Sequence, residues 1–436
     1  MPLTKATNDL QTPSTAVNFI ATTSTSSLGN FKGLYKTGIQ VGSESTQFSV
    51  VIDTASSYLW IPDSSTTASV SQKFDCSKSN TCKPNTADSN TFYYSAGSIT
   101  GYSATDKINL QGSQESSISQ FKFFLAKDIS ANLTSYNGIL GLGLRNSNQT
   151  NPTFLEALKS NNLIKEAVFS LYLGGSSAFQ DGGFAGDVTF GGYNPTYINN
   201  PFQFAPLIDN PNTPYWTLSL AGIGYGLTKN LTGINNLPVR IDSGSTSIFL
   251  PKVLIQNFVE VSGLTFKYDS DRGQYSCSCT TSKPIPDLVL YFNGVKVNIS
   301  SSVFITPASA NSYVCYLNMK GLPGDASLSQ PAIIGSAIFK DYYTFFSAEN
   351  KTVGFSQIKK SSSLSVGTVV AVILLGALII AVAVYYCTKE KGVTVEGGGN
   401  YSELKNHGKG VAIGGGNSSS NAARAYYLRN EDNQSM

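Results

Sequence analysis

Charge imbalance is missing from this sequence. Thirty Lys and Arg against 27 Asp and Glu leave +3 over 436 residues, too even a balance to argue for nucleic-acid binding. The first thirty residues contain no apolar h-region, so no signal peptide is visible there. Long hydrophobic runs are also absent, with one exception. Residues 366–386, VGTVVAVILLGALIIAVAVYY, carry no charge and are flanked by lysines. As a helix this run would be about 32 Å long, against a bilayer core of ~30 Å, and it shows no polar face of the kind a buried core helix has. Cysteine is limited to six positions. Cys76 and Cys82 would close a small loop, either Cys277 or Cys279 could pair with Cys315, and Cys387 sits at the far edge of the apolar run. What is plentiful is turn chemistry: 40 Gly and 17 Pro, with abundant Ser and Thr, suit a β-rich protein long enough for more than one core. Five Asn-x-Ser/Thr sequons (Asn132, Asn148, Asn230, Asn298, Asn350) precede the apolar run and agree with an oxidising, glycosylating lumen.

Two stretches organise the rest. In residues 50–62, VVIDTASSYLWIP, an apolar strand stops at one acid, Asp53, and passes into a loop of small hydroxylated residues. Residues 239–251, VRIDSGSTSIFLP, repeat that design around Asp242. A single Asp after a strand is an ordinary turn starter. Two matching loops are harder to dismiss, because each has a second matching part downstream. Gly138-Ile139-Leu140-Gly141 ends 88 residues after Asp53, and Ile333-Ile334-Gly335 ends 93 after Asp242. This is an internal repeat of domain size.

An acid loop followed by an apolar pair and Gly, twice over, resembles the pepsin-like aspartic proteases, whose two lobes each give one Asp. Other features extend the resemblance over residues 30 to 358. Phe92-Tyr93-Tyr94-Ser95-Ala96-Gly97-Ser98 reads as an aromatic hairpin similar to the family's flap, with Tyr94 at the flap tyrosine and Ser95 where the first flap Gly stands. Tyr215-Trp216 opens the second half in the family manner, and Val353-Gly354-Phe355 closes it. The nearest styles are cathepsin D-like enzymes and, through Asp-Ser-Gly-Ser-Thr followed by Leu250-Pro251-Lys252 and the single apolar run, beta-secretase.

The resemblance implies a mainly β, bilobal fold with a central cleft, followed by a single transmembrane helix. Residues 1–28 would be a partial prosegment or disordered N-terminus, since Pro2-Leu3-Thr4-Lys5 is similar to the start of pepsin-type prosegments. Residues 29–203 and 204–358 would be the two lobes, with short helical regions at 154–166 and 251–261 and an amphipathic strand at 342–346. Residues 359–365 would be a linker, 366–386 the span and 387–436 a disordered cytosolic tail in which Tyr401-Ser-Glu-Leu404 has the shape of a sorting signal. The disulfides implied are Cys76–Cys82 and Cys279–Cys315. The protein would be a monomeric, single-pass type I membrane protein with its catalytic part lumenal or extracellular, in an endolysosomal or vacuolar compartment or at the cell surface.

The chemistry implied is that of a carboxylate pair. Two close acids cannot both ionise easily, so they share a proton and supply an acid and a base in one place. A water held between Asp53 and Asp242 would attack the peptide carbonyl with no covalent intermediate, metal or cofactor. Thr54 and Ser243 would lock the loops together, while Ser56 and Ser245 would bond the outer carboxylate oxygens. Tyr94 and Trp60 would close over a protein or peptide substrate. Val51, Tyr136 and Ile139 would line the pocket before the cut, favouring large apolar side chains, and Gly244 and Thr246 would face the substrate from the second loop. Besides Ser95, three positions depart from the family pattern. Ala55 stands where Gly is usual, Asn137 where Asp is usual, and Arg240 where an apolar residue faces the pocket after the cut. A cation at 240 would favour acidic substrates or depress the dyad's pKa if it faces the site, and would do neither if it faces solvent. The competing readings are a catalytically impaired homologue that binds peptides, motivated by Ala55, and a non-enzymatic β-rich adhesion protein on a membrane stalk.

Overall fold

Residues of alternating polarity form strands because an extended chain sends successive side chains to opposite faces. In Leu34–Val41, Leu34, Tyr35, Thr37, Ile39 and Val41 are buried while the residues between them are half-exposed. The next strand, Thr46–Asp53, pairs with it antiparallel and loses the alternation toward its end, where Val50, Val51, Ile52 and Asp53 are all buried. A strand covered on both faces delivers its last side chain into the interior, and that side chain is a carboxylate.

The computed structural model describes residues 24–31, 34–110, 117–173, 184–208, 215–226, 229–231, 234–270, 272–281, 284–309, 312–322, 331–359 and 379–382. The chain divides into two units, Met1–Ser361 and Ser362–Met436. Of the second, residues 379–382 are described; they are helical, with Ile379, Ile380 and Val382 exposed. The rest of the expected span at 366–386 lies outside the described residues, as do the segment 2–5, residues 360–365 of the linker and the tail with its 401–404 motif. No helix among the described residues is long and apolar enough to cross a membrane.

Among the described residues the strands form three sheets in the first unit. A 13-stranded sheet runs from Gln203–Pro206 at one edge to Lys83–Tyr94 at the other and contains Thr46–Asp53 beside Ile139–Gly141. An eight-stranded sheet contains Leu237–Ile241 beside Ala332–Ile334. Four short strands, Lys267–Asp269, Gln274–Ser278, Val314–Leu317 and Ile305–Pro307, form the third. The disulfides are Cys76–Cys82 and Cys279–Cys315, and Cys277 is a buried thiol directly across the ladder from Cys315.

The sheets do not follow the sequence-based boundaries. The first described strand, Ser24–Phe31, crosses the expected boundary at 28 and pairs with Phe184–Phe190. Gln203–Pro206 crosses the boundary at 203 and pairs with Thr352–Gln357. Residues 342–346, expected to be an amphipathic strand, lie in the strand Tyr342–Ser347, which is buried along its whole length. The reason is its place inside the large sheet between Val168–Tyr172 and Thr352–Gln357, with Phe346 stacked on Phe169 on one side and Phe345 against Phe202 on the other. Strands with both faces covered read as continuous apolar runs.

The helices are short. Phe154–Ser160 starts at a capping box between Thr153 and Glu156, and the chain then turns out at Asn162, in the left-handed region, so residues 161–166 do not continue the expected helical stretch. Lys252–Ser262 is flanked by Pro251 and stopped by Gly263 at φ 74°. Of the sequon asparagines, Asn132, Asn148, Asn230 and Asn350 are exposed, whereas the side-chain oxygen of Asn298 is buried in the strand Val295–Ile299.

Candidate active site

Each acid loop is held by its apolar-Gly partner. Val51, Ile52 and Asp53 pair in parallel with Ile139, Leu140 and Gly141, and Val239, Arg240 and Ile241 pair in parallel with Ala332, Ile333 and Ile334. The glycine that ends each partner strand passes directly under the loop. A Cβ on Gly141 would lie 2.6 Å from the Ser56 carbonyl oxygen, and one on Gly335 2.4 Å from that of Ser247. No side chain fits there. Just beyond them, Leu142 N–H donates to the Asp53 carbonyl and Ser336 N–H to the Ser245 carbonyl, each at 2.7 Å.

The two loops then meet through a reciprocal set of buried hydrogen bonds. Thr54 N–H donates to Ser243 Oγ at 3.0 Å, and Ser243 N–H donates to Thr54 Oγ1 at 2.9 Å. Thr54 Oγ1 in turn donates to the Ile241 carbonyl at 2.8 Å, and Ser243 Oγ to the Ile52 carbonyl at 2.9 Å. Both hydroxyls therefore accept from and donate to the opposite loop. Each such bond, once buried, costs about 1–3 kcal/mol per group if one partner is removed.

This lock brings the carboxylates together. Asp53 and Asp242 are 5% and 4% exposed, so both are buried with only a sliver of each left accessible. A Cβ placed on Gly244 would stand 2.6 Å from Asp53 Oδ1 and 3.3 Å from Asp242 Oδ1. The triangle inequality then keeps the two Oδ1 atoms within about 6 Å of each other, inside the range where one charge raises the other's pKa. Gly244 is a glycine because the opposite loop's carboxylate occupies the space its side chain would need.

The two acids are dressed differently. Ala55 N–H donates to Asp53 Oδ1 at 2.8 Å, so the methyl at 55 does not remove this bond, and Gly244 N–H does the same for Asp242 Oδ1 at 2.9 Å. Ser245 Oγ donates to Asp242 Oδ2 at 2.9 Å. Ser56, expected to do likewise for Asp53, does not. Its buried Oγ lies between Asp53 and the Tyr94 hydroxyl, near enough to favour the charged form of each, without the geometry of a bond to either. Arg240 faces the site and not solvent. Its Nε lies 3.7 Å from Asp242 Oδ2 and its guanidinium stacks 4.3 Å from the centre of the Tyr215 ring. Burial pushes Asp53 up to about 6, with the charge of Asp242 adding to the shift and Ser56, Ala55 and Arg240 opposing it. Burial also raises Asp242, and there Arg240 is the largest opposing influence.

Above Asp53 lies the hairpin of Lys83–Tyr94 and Gly97–Leu110, turned at Ser95-Ala96 with Tyr94 opposite Gly97. Tyr93 points out, 83% exposed, while burial and the neighbouring Asp53 charge raise the pKa of Tyr94. Tyr94 packs in a small apolar cluster apart from the main core. That cluster contains Val51, Trp60, Tyr136 and Ile139, so the residues expected to line the pocket before the cut are gathered in one place under the flap. Thr246 is exposed on the second loop, its carbonyl held by Asn318 Nδ2 at 3.1 Å.

Sequence reasoning missed several supports. The sequence marks Tyr215 only as part of the opening of the second half, yet its ring stacks on the guanidinium of Arg240. The pairing of Thr217 with Arg240 runs antiparallel, which carries Tyr215 toward Asp242; strand register is the signal that could have found it. Gln149 accepts from Ser57 and Asn318 from Ser247, each at 2.7 Å, tying the loops to more distant segments. Trp216 Nε1 donates to the Leu142 carbonyl at 2.9 Å, from the second half of the repeat to the first. These amides and this indole have no local sequence pattern to mark them.

Comparison with known proteins agrees with the geometry. The family model described as eukaryotic aspartyl protease matches residues 34–358. The chain is similar to the vacuolar aspartic protease of Candida albicans, 27% identical over 339 residues that cover 74% of this chain and 75% of the relative. It is similar to vacuolar protease A of Neurospora crassa, 28% identical over 75% of this chain and 79% of the relative. It is also similar to cathepsin E of Rattus norvegicus, 26% identical over 73% of this chain and 78% of the relative.

Proposed function

The chain belongs to the eukaryotic aspartyl proteases, the pepsin-like family, and from that membership we propose that Asp53 and Asp242 are the catalytic dyad of a membrane-anchored acid endopeptidase. The chain is an aspartic-type endopeptidase, and its substrates are proteins or peptides. The observation that supports the dyad assignment is the reciprocal exchange between Thr54 and Ser243, beside which two buried carboxylates lie with their Oδ1 atoms within about 6 Å of each other.

One carboxylate takes a proton from water as the water oxygen bonds to the peptide carbonyl carbon, and the other gives its proton to the carbonyl oxygen. The tetrahedral diol that results collapses as the leaving nitrogen takes a proton and the C–N bond breaks. Tyr94 closes over the substrate from the flap and excludes water, with Trp60 behind it. The apolar group of Val51, Tyr136 and Ile139 accepts a large apolar side chain before the cut, and Gly244 and Thr246 face the substrate backbone. Residues 366–386 anchor the enzyme in a membrane with its catalytic part on the lumenal or extracellular side, as the two disulfides and the sequons suggest. Relatives named for the vacuole favour a vacuolar or endolysosomal compartment.

Purified full-length protein, assayed on a denatured protein substrate between about pH 3 and 6, should cleave beside large apolar residues and be blocked by pepstatin. Asp53→Asn and Asp242→Asn should each lower the rate by at least about 10³-fold. Cleavage that survives either substitution would remove that residue from the dyad, and cleavage insensitive to pepstatin would overturn the assignment.

A further inference from the structure

Arg240 is a cation on one side of a site whose two loops share one hydrogen-bond plan. It precedes Asp242 by two residues, so an extended strand projects both side chains to the same face. Its side chain is 21% exposed, its Nε is 3.7 Å from Asp242 Oδ2, and that Nε is buried with no hydrogen-bond acceptor. Stacking on the Tyr215 ring at 4.3 Å holds the guanidinium beside the carboxylate. No ion pair between described residues reaches Asp53.

The hydroxyls lean the same way. Asp242 accepts from Gly244 N–H and Ser245 Oγ, each at 2.9 Å, in addition to facing Arg240. Asp53 accepts from Ala55 N–H at 2.8 Å, while Ser56 Oγ makes no bond to it. Other groups around the pair do not offset this difference. Tyr94 from the flap and Tyr136 from the short helix Ala131–Tyr136 are phenols with raised pKa values on the Asp53 side, neutral at the acid pH where the dyad titrates. Tyr215 is the remaining neighbour, stacked on Arg240.

We propose that Arg240 is a positioning residue that makes the dyad one-sided, keeping the negative charge on Asp242 and the shared proton on Asp53. The inference rests on the dyad reading above. It assigns the two roles left open there. Asp242 accepts the proton from water as the water oxygen bonds to the carbonyl carbon, and Asp53 gives its proton to the carbonyl oxygen. On collapse, Asp53 recovers a proton from a diol hydroxyl and Asp242 gives its proton to the nitrogen as the C–N bond breaks. Each carboxylate ends the cycle as it began, so Arg240 need not move between turnovers. Burial raises both acids; the charge of Asp242 adds to the rise at Asp53, where Arg240 is the last of the opposing influences, whereas at Asp242 Arg240 is the first of them.

The test is the pH profile of kcat/KM for the full-length enzyme and its Arg240→Met and Arg240→Lys variants. Arg240→Met removes the charge and keeps an unbranched apolar stem. It should move the acid limb upward by about one unit, while Arg240→Lys restores the limb to within a few tenths. A residue that only supported the fold would lower the rate at every pH and leave the limbs in place. A second measurement does not depend on how the Arg240 variants fold. Asn is a neutral stand-in for a protonated Asp, so Asp53→Asn should keep pepstatin binding within roughly tenfold, and Asp242→Asn should weaken it by more than about a hundredfold. An unmoved acid limb in a folded Arg240→Met enzyme, or the reverse order of pepstatin affinities, would overturn the proposal and leave the dyad intact. Undiminished cleavage by both Asp→Asn variants would instead overturn the reading beneath it.

Discussion

The loops after Asp53 and Asp242 share a hydrogen-bond plan and differ in everything laid over it. Each has a backbone N–H two residues on that caps its own acid, and each sends a hydroxyl, Thr54 or Ser243, into the other. The second loop adds a serine bond and a cation to its carboxylate, and it alone has a glycine where the opposite acid intrudes. The first has alanine at that place and lies under the flap. The difference teaches that the repeat fixes where the acids sit, while unshared neighbours set how each one titrates.

Breaking the comparison at its tightest point should have the largest effect. Gly244→Ala forces a methyl to within 2.6 Å of Asp53 Oδ1. It should lower kcat/KM by at least about 10²-fold through misplaced reacting groups and destabilise the fold by about 1–3 kcal/mol. Steady-state kinetics and denaturant unfolding check the two parts. Next comes the lock. Thr54→Val leaves the Ile241 carbonyl and the Ser243 N–H buried without partners, and Ser243→Ala does the same to the Ile52 carbonyl and the Thr54 N–H. Each should cost about 4 kcal/mol, and equal losses from the two sides would show that the lock is as symmetric energetically as it is geometrically.

A smaller effect follows from the buried acids. The folded-state pKa of Asp53 is raised from 3.8 to about 6, so the native state binds more protons than the unfolded chain between those values. Stability is therefore full below about pH 4 and falls as pH rises through 6, by up to about 3 kcal/mol. Unfolding measured from pH 4 to 7 should show this decline, and Asp53→Asn should flatten it. The smallest change is expected from Ala55→Gly. The Ala55 N–H already caps Asp53, so restoring glycine should alter kcat/KM by less than about threefold; a gain beyond tenfold would mean that the methyl strains the first loop.

Much of the site was legible in the sequence because it is local. An apolar run ending in Asp and then small hydroxyl residues marks a buried strand end, and its repetition marked the partner. The grouping of the residues expected to line the pocket was also legible. Val51, Trp60, Tyr94, Tyr136 and Ile139, spread over almost ninety positions, do meet in one cluster. What was not legible depends on which neighbours cover a side chain. Period-two alternation puts Arg240 and Asp242 on one face, yet only Tyr215, brought in by a separate strand, decides that the guanidinium stays there. Ser56 and Ser245 hold matching positions in sequence, yet only Ser245 Oγ makes a hydrogen bond to its acid, while Ser56 Oγ is buried near both Asp53 and Tyr94. Residues 342–346 were expected to be amphipathic; their place inside the large sheet covers both faces.

The crossing bonds between Thr54 and Ser243 join residues 189 positions apart. Contacts of such long range carry the closure cost of all the chain between them, and they cannot form until both stretches are in place. Until both loops are seated, neither acid has the other as its neighbour. Whatever chemistry needs the pair waits on the completed architecture.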